Sequence, residues 1–78
     1  MRFVTNIPHP NCRISVHNMN NKFIIKFENR NLEQVYKFEE TELSSAEEIT
    51  TLLTDDFLQR VMHRFTVMNE DFTTLLEK

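Results

Sequence analysis

The hydrophobic pattern of this 78-residue chain changes period near its middle. Between Arg13 and Phe38, apolar and polar residues alternate with a period of two, which is typical of strands that bury one face. Between Ser44 and Leu76, the apolar residues recur at helical spacing. We therefore predict a single α+β domain over residues 1–78, in which a three-stranded antiparallel meander precedes a short helix and a long C-terminal amphipathic helix (β-β-β-α-α).

The first strand pairing is predicted from a turn at Asn20-Asn21. The chain contains no glycine, and asparagine is the next residue to accept the positive φ of a tight hairpin. This turn pairs Val16 with Ile25 and Arg13 with Glu28. The expected inner face of the sheet carries the apolar residues Ile14, Val16, Phe23, Ile25, Phe27, Leu32 and Phe38.

The second pairing is predicted from a turn at Asn29-Arg30. It gives three expected cross-strand pairs, which are Phe27 with Leu32, Lys26 with Glu33, and Phe23 with Tyr36. The same register places the polar Gln34 opposite Ile25 on the apolar face. The third strand is therefore either an edge at that point or shifted in register by a bulge.

Two polar segments predict helix starts. Ser44 and Ser45 each precede a glutamate by three residues, a capping-box pattern, and carboxylates follow Thr54 at a second N-terminus. The short helix should carry Ala46, Ile49, Leu52 and Leu53 on one side. The apolar stripe of the long helix comprises Leu58, Val61, Met62, Phe65, Met68, Phe72, Leu75 and Leu76, with Arg60, His63, Arg64 and Glu70 outside it.

The long helix exceeds the length of the predicted sheet. From Asp55 to Lys78 a straight helix is about 36 Å long, whereas a seven-residue strand spans about 23 Å. The residues left beyond the sheet are Met68, Phe72, Leu75 and Leu76. A kink near residues 66–69, the N-terminal segment RFVTNI or a second copy of the chain would bury them, and we favour a symmetric homodimer.

Charge and cysteine content narrow the class of protein. The net charge of −3 lacks the basic excess that usually accompanies nucleic-acid binding. A single cysteine excludes an internal disulfide, and no apolar run near the N-terminus is long enough for a signal peptide or a membrane span. We therefore expect a soluble, cytosolic protein without a membrane partner.

The segment NIPHPNC places His9 three residues before Cys12. This spacing suits two zinc ligands, but a second closely spaced pair is missing, and His17 and His63 belong to a predicted strand and helix. Cys12 could act as a nucleophile only with His9 or His17 as its base. The sequence around these residues carries no signature of a family that uses such a pair. We interpret the proline-rich segment as a stiff lead-in or an edge segment, and predict no metal, no cofactor and no enzymatic activity.

The outer sheet face is a candidate contact surface. In the predicted register His17, Ile24 and Val35 form one row, with Lys26 and Lys37 nearby. An RNA-binding sheet would need exposed aromatic residues, and none falls on the outer face of the three strands. Nucleic acid is thus the less favoured partner, and the residues that would contact it are Arg13, Lys22, Lys26 and Lys37.

Four segments of the chain carry a resemblance. They are NIPHP at residues 6–10, NNKFIIKFE at 20–28, LEQVYKF at 32–38 and FLQRVMHRF at 57–65. Together they resemble a group of short bacterial proteins to which no function is assigned. The resemblance implies a stand-alone small protein.

These observations predict a non-enzymatic interaction module that binds a protein partner or itself. A nucleic-acid-associated protein and a Cys/His metal or thiol protein are the alternatives. The expected contact residues are His17, Ile24, Lys26, Val35 and Lys37 on the sheet, and Met68, Phe72, Leu75 and Leu76 on the helix.

Overall fold

Four antiparallel strands and two α-helices form the fold of the computed structural model, which describes residues 2–43, 45 and 47–77. The strands are β1 (Arg2–Ile7), β2 (Arg13–Met19), β3 (Lys22–Asn29) and β4 (Leu32–Glu39), hydrogen-bonded in that order. A 3-10 turn over Glu40–Glu42 leads to α1 (Glu47–Leu52) and α2 (Asp55–Leu76). The α+β class is confirmed, but the prediction of three strands is wrong because β1 adds a fourth.

Strand β1 lies mostly before the proline-rich segment that we interpreted as a lead-in, and the two share only Asn6 and Ile7. Its pairing with β2 extends from Arg2 opposite Asn18 to Ile7 opposite Ile14, with an irregularity at Val4. The bulge adds an unpaired residue, so the alternation of apolar and polar side chains is interrupted within the strand. Because the segment is only six residues long, this interruption removes the period-two signal that identified the other strands.

The β2–β3 hairpin has the predicted register. Val16 lies opposite Ile25, and Arg13 lies opposite Glu28. The two turn residues have positive φ, 54° at Asn20 and 62° at Asn21. Positive φ at both central positions is the geometry of a type I′ turn, whose twist matches that of the strands it joins.

The predicted register between β3 and β4 is wrong by two residues. The turn lies at Arg30-Asn31, so Asn29 pairs with Leu32 and Phe27 pairs with Gln34. Tyr36 accordingly faces Ile25, and Phe23 faces Phe38. A turn moved by one residue shifts the pairing by two, which leaves every side chain on the same face, so hydrophobic alternation does not distinguish the two registers.

The observed register determines the contacts of two polar side chains, Gln34 and Lys26. Gln34 faces the helices, and its Nε2 donates a hydrogen bond of 2.9 Å to the carbonyl oxygen of Val61 in α2. Lys26 lies opposite Val35 rather than Glu33, but its Nζ still reaches the Glu33 carboxylate diagonally at 3.4 Å. The polar residue on the apolar face therefore joins the sheet to the long helix.

The core lies between one face of the sheet and the two helices. Its buried residues are Ile14, Val16, Ile25, Phe27, Ile49, Val61 and Phe65. The other predicted core residues, Phe23, Leu32 and Phe38, are half-buried and pack against this cluster. An aromatic contact fixes the start of α2, since Phe57 lies 5.6 Å from Tyr36 and 6.0 Å from Phe27 between ring centroids.

The helix starts follow the sequence in part. The Thr54 hydroxyl accepts a 3.2 Å hydrogen bond from the Phe57 amide, which confirms the predicted cap of α2. In α1, Ile49 is fully buried, whereas Leu52 is 43% exposed, so the predicted apolar side is narrower than expected. Ser44 and Ala46 lie outside the described residues. In the part of the chain that the structure describes, no helix combines the length and apolarity needed to cross a membrane.

Candidate functional site

The C-terminal end of α2 extends past the sheet. The helix is α-helical throughout its 22 residues, about 33 Å in length, and the molecule measures 46 × 26 × 18 Å. We call residues 69–76 the overhang. Leu75 is 75% exposed and Leu76 is 68% exposed. Neither a break in α2 nor β1, which pairs along β2, covers these two leucines.

The other two predicted helix contacts are partly covered. Met68 is half-buried and packs against the core cluster, so coverage by the domain extends one turn further than the sequence suggested. Phe72, one turn beyond Met68, is also half-buried. The uncovered part of the apolar stripe therefore begins at Phe72 and is widest at the two leucines.

A groove separates the overhang from the end of the sheet. It is open to solvent and has a volume of about 950 Å³. The sheet side of the groove includes Cys12, Arg30 and Leu32, and the helix side includes Phe65, Phe72 and Leu76. The groove wall is fixed in part by Asn29, whose Nδ2 donates a 3.0 Å hydrogen bond to the carbonyl oxygen of Asn11. A concave surface thus lies directly beneath an uncovered apolar helix end.

Acidic side chains predominate within residues 69–77 at this end of the molecule. The overhang carries Glu70 and Asp71, Glu77 follows it, and the last turn of α2 contains no basic residue. These carboxylates lie near the negative end of the helix dipole, where a cation would be favourable. Across the groove stands Arg30, which has no ion-pair partner within residues 2–43, 45 and 47–77. Sequence reasoning missed Arg30 because the predicted turn left it without a role.

The outer sheet face differs from its predicted arrangement. Ile24 is only 3% exposed, so its prediction as an exposed contact residue is wrong. It lies opposite His17 on one side and Lys37 on the other, within an interior strand whose neighbours on both sides cover it. Val35 belongs to a different row, opposite Lys26, and is 47% exposed.

Strand β1 adds an aromatic residue to this outer face. Phe3 lies opposite His17, with ring centroids 5.8 Å apart in an edge-to-face arrangement, and is 56% exposed. The expectation that the outer face lacks aromatic residues is therefore wrong, because it was derived from three strands. His17 is also held by its neighbour Ser15, whose Oγ lies 3.1 Å from the His17 Nε2.

Two of the four cations that were predicted to contact nucleic acid form ion pairs. Lys22 lies 3.7 Å from the Glu39 carboxylate, and Lys26 lies 3.4 Å from that of Glu33. Lys37 is exposed. A phosphate-binding surface needs cations that are not already neutralised, and of these four only Arg13 and Lys37 have no ion-pair partner among the described residues.

His9 and Cys12 lie close together beside the groove. The His9 Nδ1 accepts a 3.1 Å hydrogen bond from the Asn11 amide and lies 3.7 Å from the Cys12 Sγ. Burial raises the pKa of the Cys12 thiol, which favours the protonated form over the nucleophilic thiolate. His17 is on β2 and His63 is exposed on α2. Within the described residues, no three His, Cys, Asp or Glu side chains are grouped to hold a metal ion.

Comparison of the chain with known protein families, with curated proteins and with solved structures gives no match. The resemblance to short bacterial proteins stays a prediction. The overhang and the groove, defined by geometry and charge, form the candidate functional site of this chain.

Proposed function

We propose that this chain is a non-enzymatic interaction module that pairs with a second copy of itself through the overhang and the groove. The observation that carries the proposal is the exposure of Leu75 and Leu76 at the end of a helix that extends past its own domain. Isolated exposed aliphatic residues are common on protein surfaces. Two adjacent leucines that continue a core-facing stripe beside an open groove are a more specific arrangement.

The two-fold symmetry of a homodimer accounts for both the exposed overhang and the open groove. The overhang offers a convex apolar surface, and the groove offers a concave one on the same molecule. In an isologous pair, each subunit supplies both surfaces, so each overhang fills the groove of the other copy. An unrelated partner would have to provide a helix-like ridge and a groove in matching positions. The second copy already has them.

The expected affinity is modest. Full burial of a leucine contributes about 1.5–3 kcal/mol, so the four leucines of a pair supply roughly 6–12 kcal/mol before the loss of translational and rotational freedom is subtracted. That loss is at least about 4 kcal/mol, so the leucines leave a net gain of at most about 2–8 kcal/mol. Contacts of Phe72 and the groove add to the favourable side. We expect dissociation constants of about 10–100 µM, which is about −7 to −5.5 kcal/mol.

Light scattering coupled to size exclusion tests the proposal. Between about 1 and 300 µM, a range chosen around the expected affinity, the full chain should pass from the subunit mass of 9.4 kDa toward twice that value. Leu75→Glu should remain at the subunit mass throughout. Val67→Glu is the matched control, because Val67 is also exposed, at 42%, and lies on the solvent side of α2, away from the overhang stripe.

Circular dichroism establishes that the variants are folded before their masses are compared. Val67→Glu should dimerise like the unmodified chain, since its side chain lies away from the overhang stripe. A full chain that keeps the subunit mass at every concentration would contradict self-association. Equal losses of dimerisation in Leu75→Glu and Val67→Glu would also contradict the proposal, because the interface would then lie elsewhere on α2.

A nucleic-acid-associated role is the second candidate, and the exposed Phe3 ring beside His17 favours it. Aromatic rings on an open sheet face can stack on unpaired bases. The paired lysines of this face weigh against it. A fluorescence titration of single-stranded RNA at 50 and 200 mM salt tests it. Binding that falls with salt and is lost in Phe3→Ala would support this role, and no binding at 50 mM salt would exclude it.

A further inference from the structure

The apolar stripe of the overhang has the spacing of an antiparallel helix pair. Met68, Phe72 and Leu76 follow one another at intervals of four residues, about 6 Å along the helix. If a two-fold axis passes beside Phe72, that ring meets its own copy, and Met68 meets Leu76 of the second copy. Both ends of the stripe are then covered in both subunits.

The length of the overhang agrees with this arrangement. Gln34 contacts Val61, and the Arg30-Asn31 turn lies three to four residues further along β4, about 12 Å away. That distance equals about eight helical residues, so the turn is level with residue 69. Antiparallel pairing about Phe72 places Glu77 of the second copy level with Val67. The end of one α2 therefore reaches the Arg30-Asn31 turn of the other subunit.

Charge also favours the antiparallel orientation. The end of α2 carries Glu70 and Asp71 and is followed by Glu77, and the last turn of the helix itself, within residues 55–76, contains no basic residue. Arg30 stands at the turn without an ion-pair partner among the described residues. A parallel pair would instead bring the two acidic helix ends together, and like charges in contact are unfavourable.

The backbone at Arg30 is a further, independent observation. Its φ is 54°, in a hairpin position where glycine is the usual residue because a Cβ is unfavourable in the left-handed region. A long cationic side chain at such a position is not explained by the stability of the turn. Strained backbone of this kind is commonly retained where the side chain has a role in binding.

We infer that the two overhangs pair antiparallel about an axis beside Phe72, and that Arg30 of each subunit binds the acidic C-terminal end of α2 in the second copy. This inference rests on the proposed self-association. It names the contact that fixes the orientation of the pair, and it assigns Arg30 a role in the interface.

Charge reversal tests the ion pair. In 50 mM salt, Arg30→Glu and Glu77→Lys should each weaken the dimer about tenfold, and the double variant should recover most of the loss. Arg60→Glu, which replaces an exposed cation on the polar side of α2 far from the overhang, is the matched control and should leave the affinity unchanged. Analytical ultracentrifugation of each chain gives the dissociation constants.

The outcomes separate this inference from the proposal beneath it. A wild-type chain that stays monomeric overturns both. A dimer whose affinity is unchanged by Arg30→Glu, or is not restored in the double variant, overturns the Arg30 contact and leaves self-association standing.

Disulfide cross-linking tests the orientation. In a Cys12→Ser background, Phe72→Cys should form a covalent dimer on oxidation, because the two copies of residue 72 face each other across the axis. Leu76→Cys should not, since the two copies of residue 76 lie about 12 Å apart along the helices. Cross-linking at residue 76, or at neither position, would overturn the antiparallel arrangement.

Discussion

Replacement of Gln34 by methionine should stabilise the domain. The Gln34 side chain lies on the inner face of β4, and its Nε2 donates to the Val61 carbonyl at 2.9 Å. Its Oε1 is buried, and no donor within residues 2–43, 45 and 47–77 reaches it. Methionine has nearly the same shape and no polar group to satisfy. Gln34→Met therefore removes one hydrogen bond and one unpaired acceptor together.

The two effects have different magnitudes. A hydrogen bond of this type contributes about 0.5–1.5 kcal/mol net, whereas a buried acceptor without a partner costs about 1–3 kcal/mol. We expect a net gain of about 1 kcal/mol in the free energy of unfolding, equivalent to a rise of about 4–8 °C in Tm. The Val61 carbonyl keeps its place in the helical hydrogen-bond pattern.

Urea unfolding followed by circular dichroism measures this change. Wild type and variants are compared at one protein concentration, because self-association would stabilise each of them by mass action. Gln34→Glu is the companion variant, and it should destabilise the domain because it buries a carboxylate next to the Val61 carbonyl. A loss of 1 kcal/mol or more in Gln34→Met would refute the reasoning and show that Oε1 is satisfied.

Three further perturbations address the thiol, the first hairpin and the cap of α2. The raised pKa of Cys12 means that the folded chain holds the thiol proton more tightly than the unfolded chain, so stability should be full below the ordinary thiol pKa and fall as the pH rises past it. Urea unfolding at pH 7.5 and 10 should show this fall in wild type and a smaller fall in Cys12→Ser. The double variant with His9→Gln and Cys12→Ser should change the free energy of unfolding by no more than about 1 kcal/mol at pH 7.5. Asn21→Ala should destabilise the domain by about 1–2 kcal/mol because alanine is unfavourable at the observed φ of 62°, and Asn21→Gly, which accepts that φ, should not. Thr54→Ala should lower the free energy of unfolding by about 1 kcal/mol, and Thr54→Ser should retain most of it, since the serine hydroxyl can still accept from the Phe57 amide.

The first hairpin was predictable because two independent signals coincide there. Alternation indicates which side chains face the core, and the Asn20-Asn21 turn sets the register. A slip of one residue would expose Val16 and Ile25, so the two signals exclude it. At β4 the second signal is missing. The turn uses Arg30 at positive φ, a choice that turn chemistry does not favour, and the alternation accepts either register.

The outer face and the groove depend on long-range packing that local patterns do not contain. Ile24 is covered because β3 is an interior strand with long side chains on both neighbours. Phe3 reaches the outer face only through the bulged pairing of β1. The length mismatch of α2 was visible from residue counts alone, since it depends only on the rise per residue of helices and strands.

The overhang acquires its helical structure by propagation from the packed part of α2. A segment of eight residues is too short to nucleate a helix in water, because the first turn fixes several residues for one hydrogen bond. Each further residue only extends a helix that already exists, and here that helix is anchored by Val61 and Phe65 in the core. When the domain unfolds, the overhang therefore loses its helical structure too, and Leu75 and Leu76 no longer form a ridge. Any contact made through this ridge reports on whether the rest of the chain has folded.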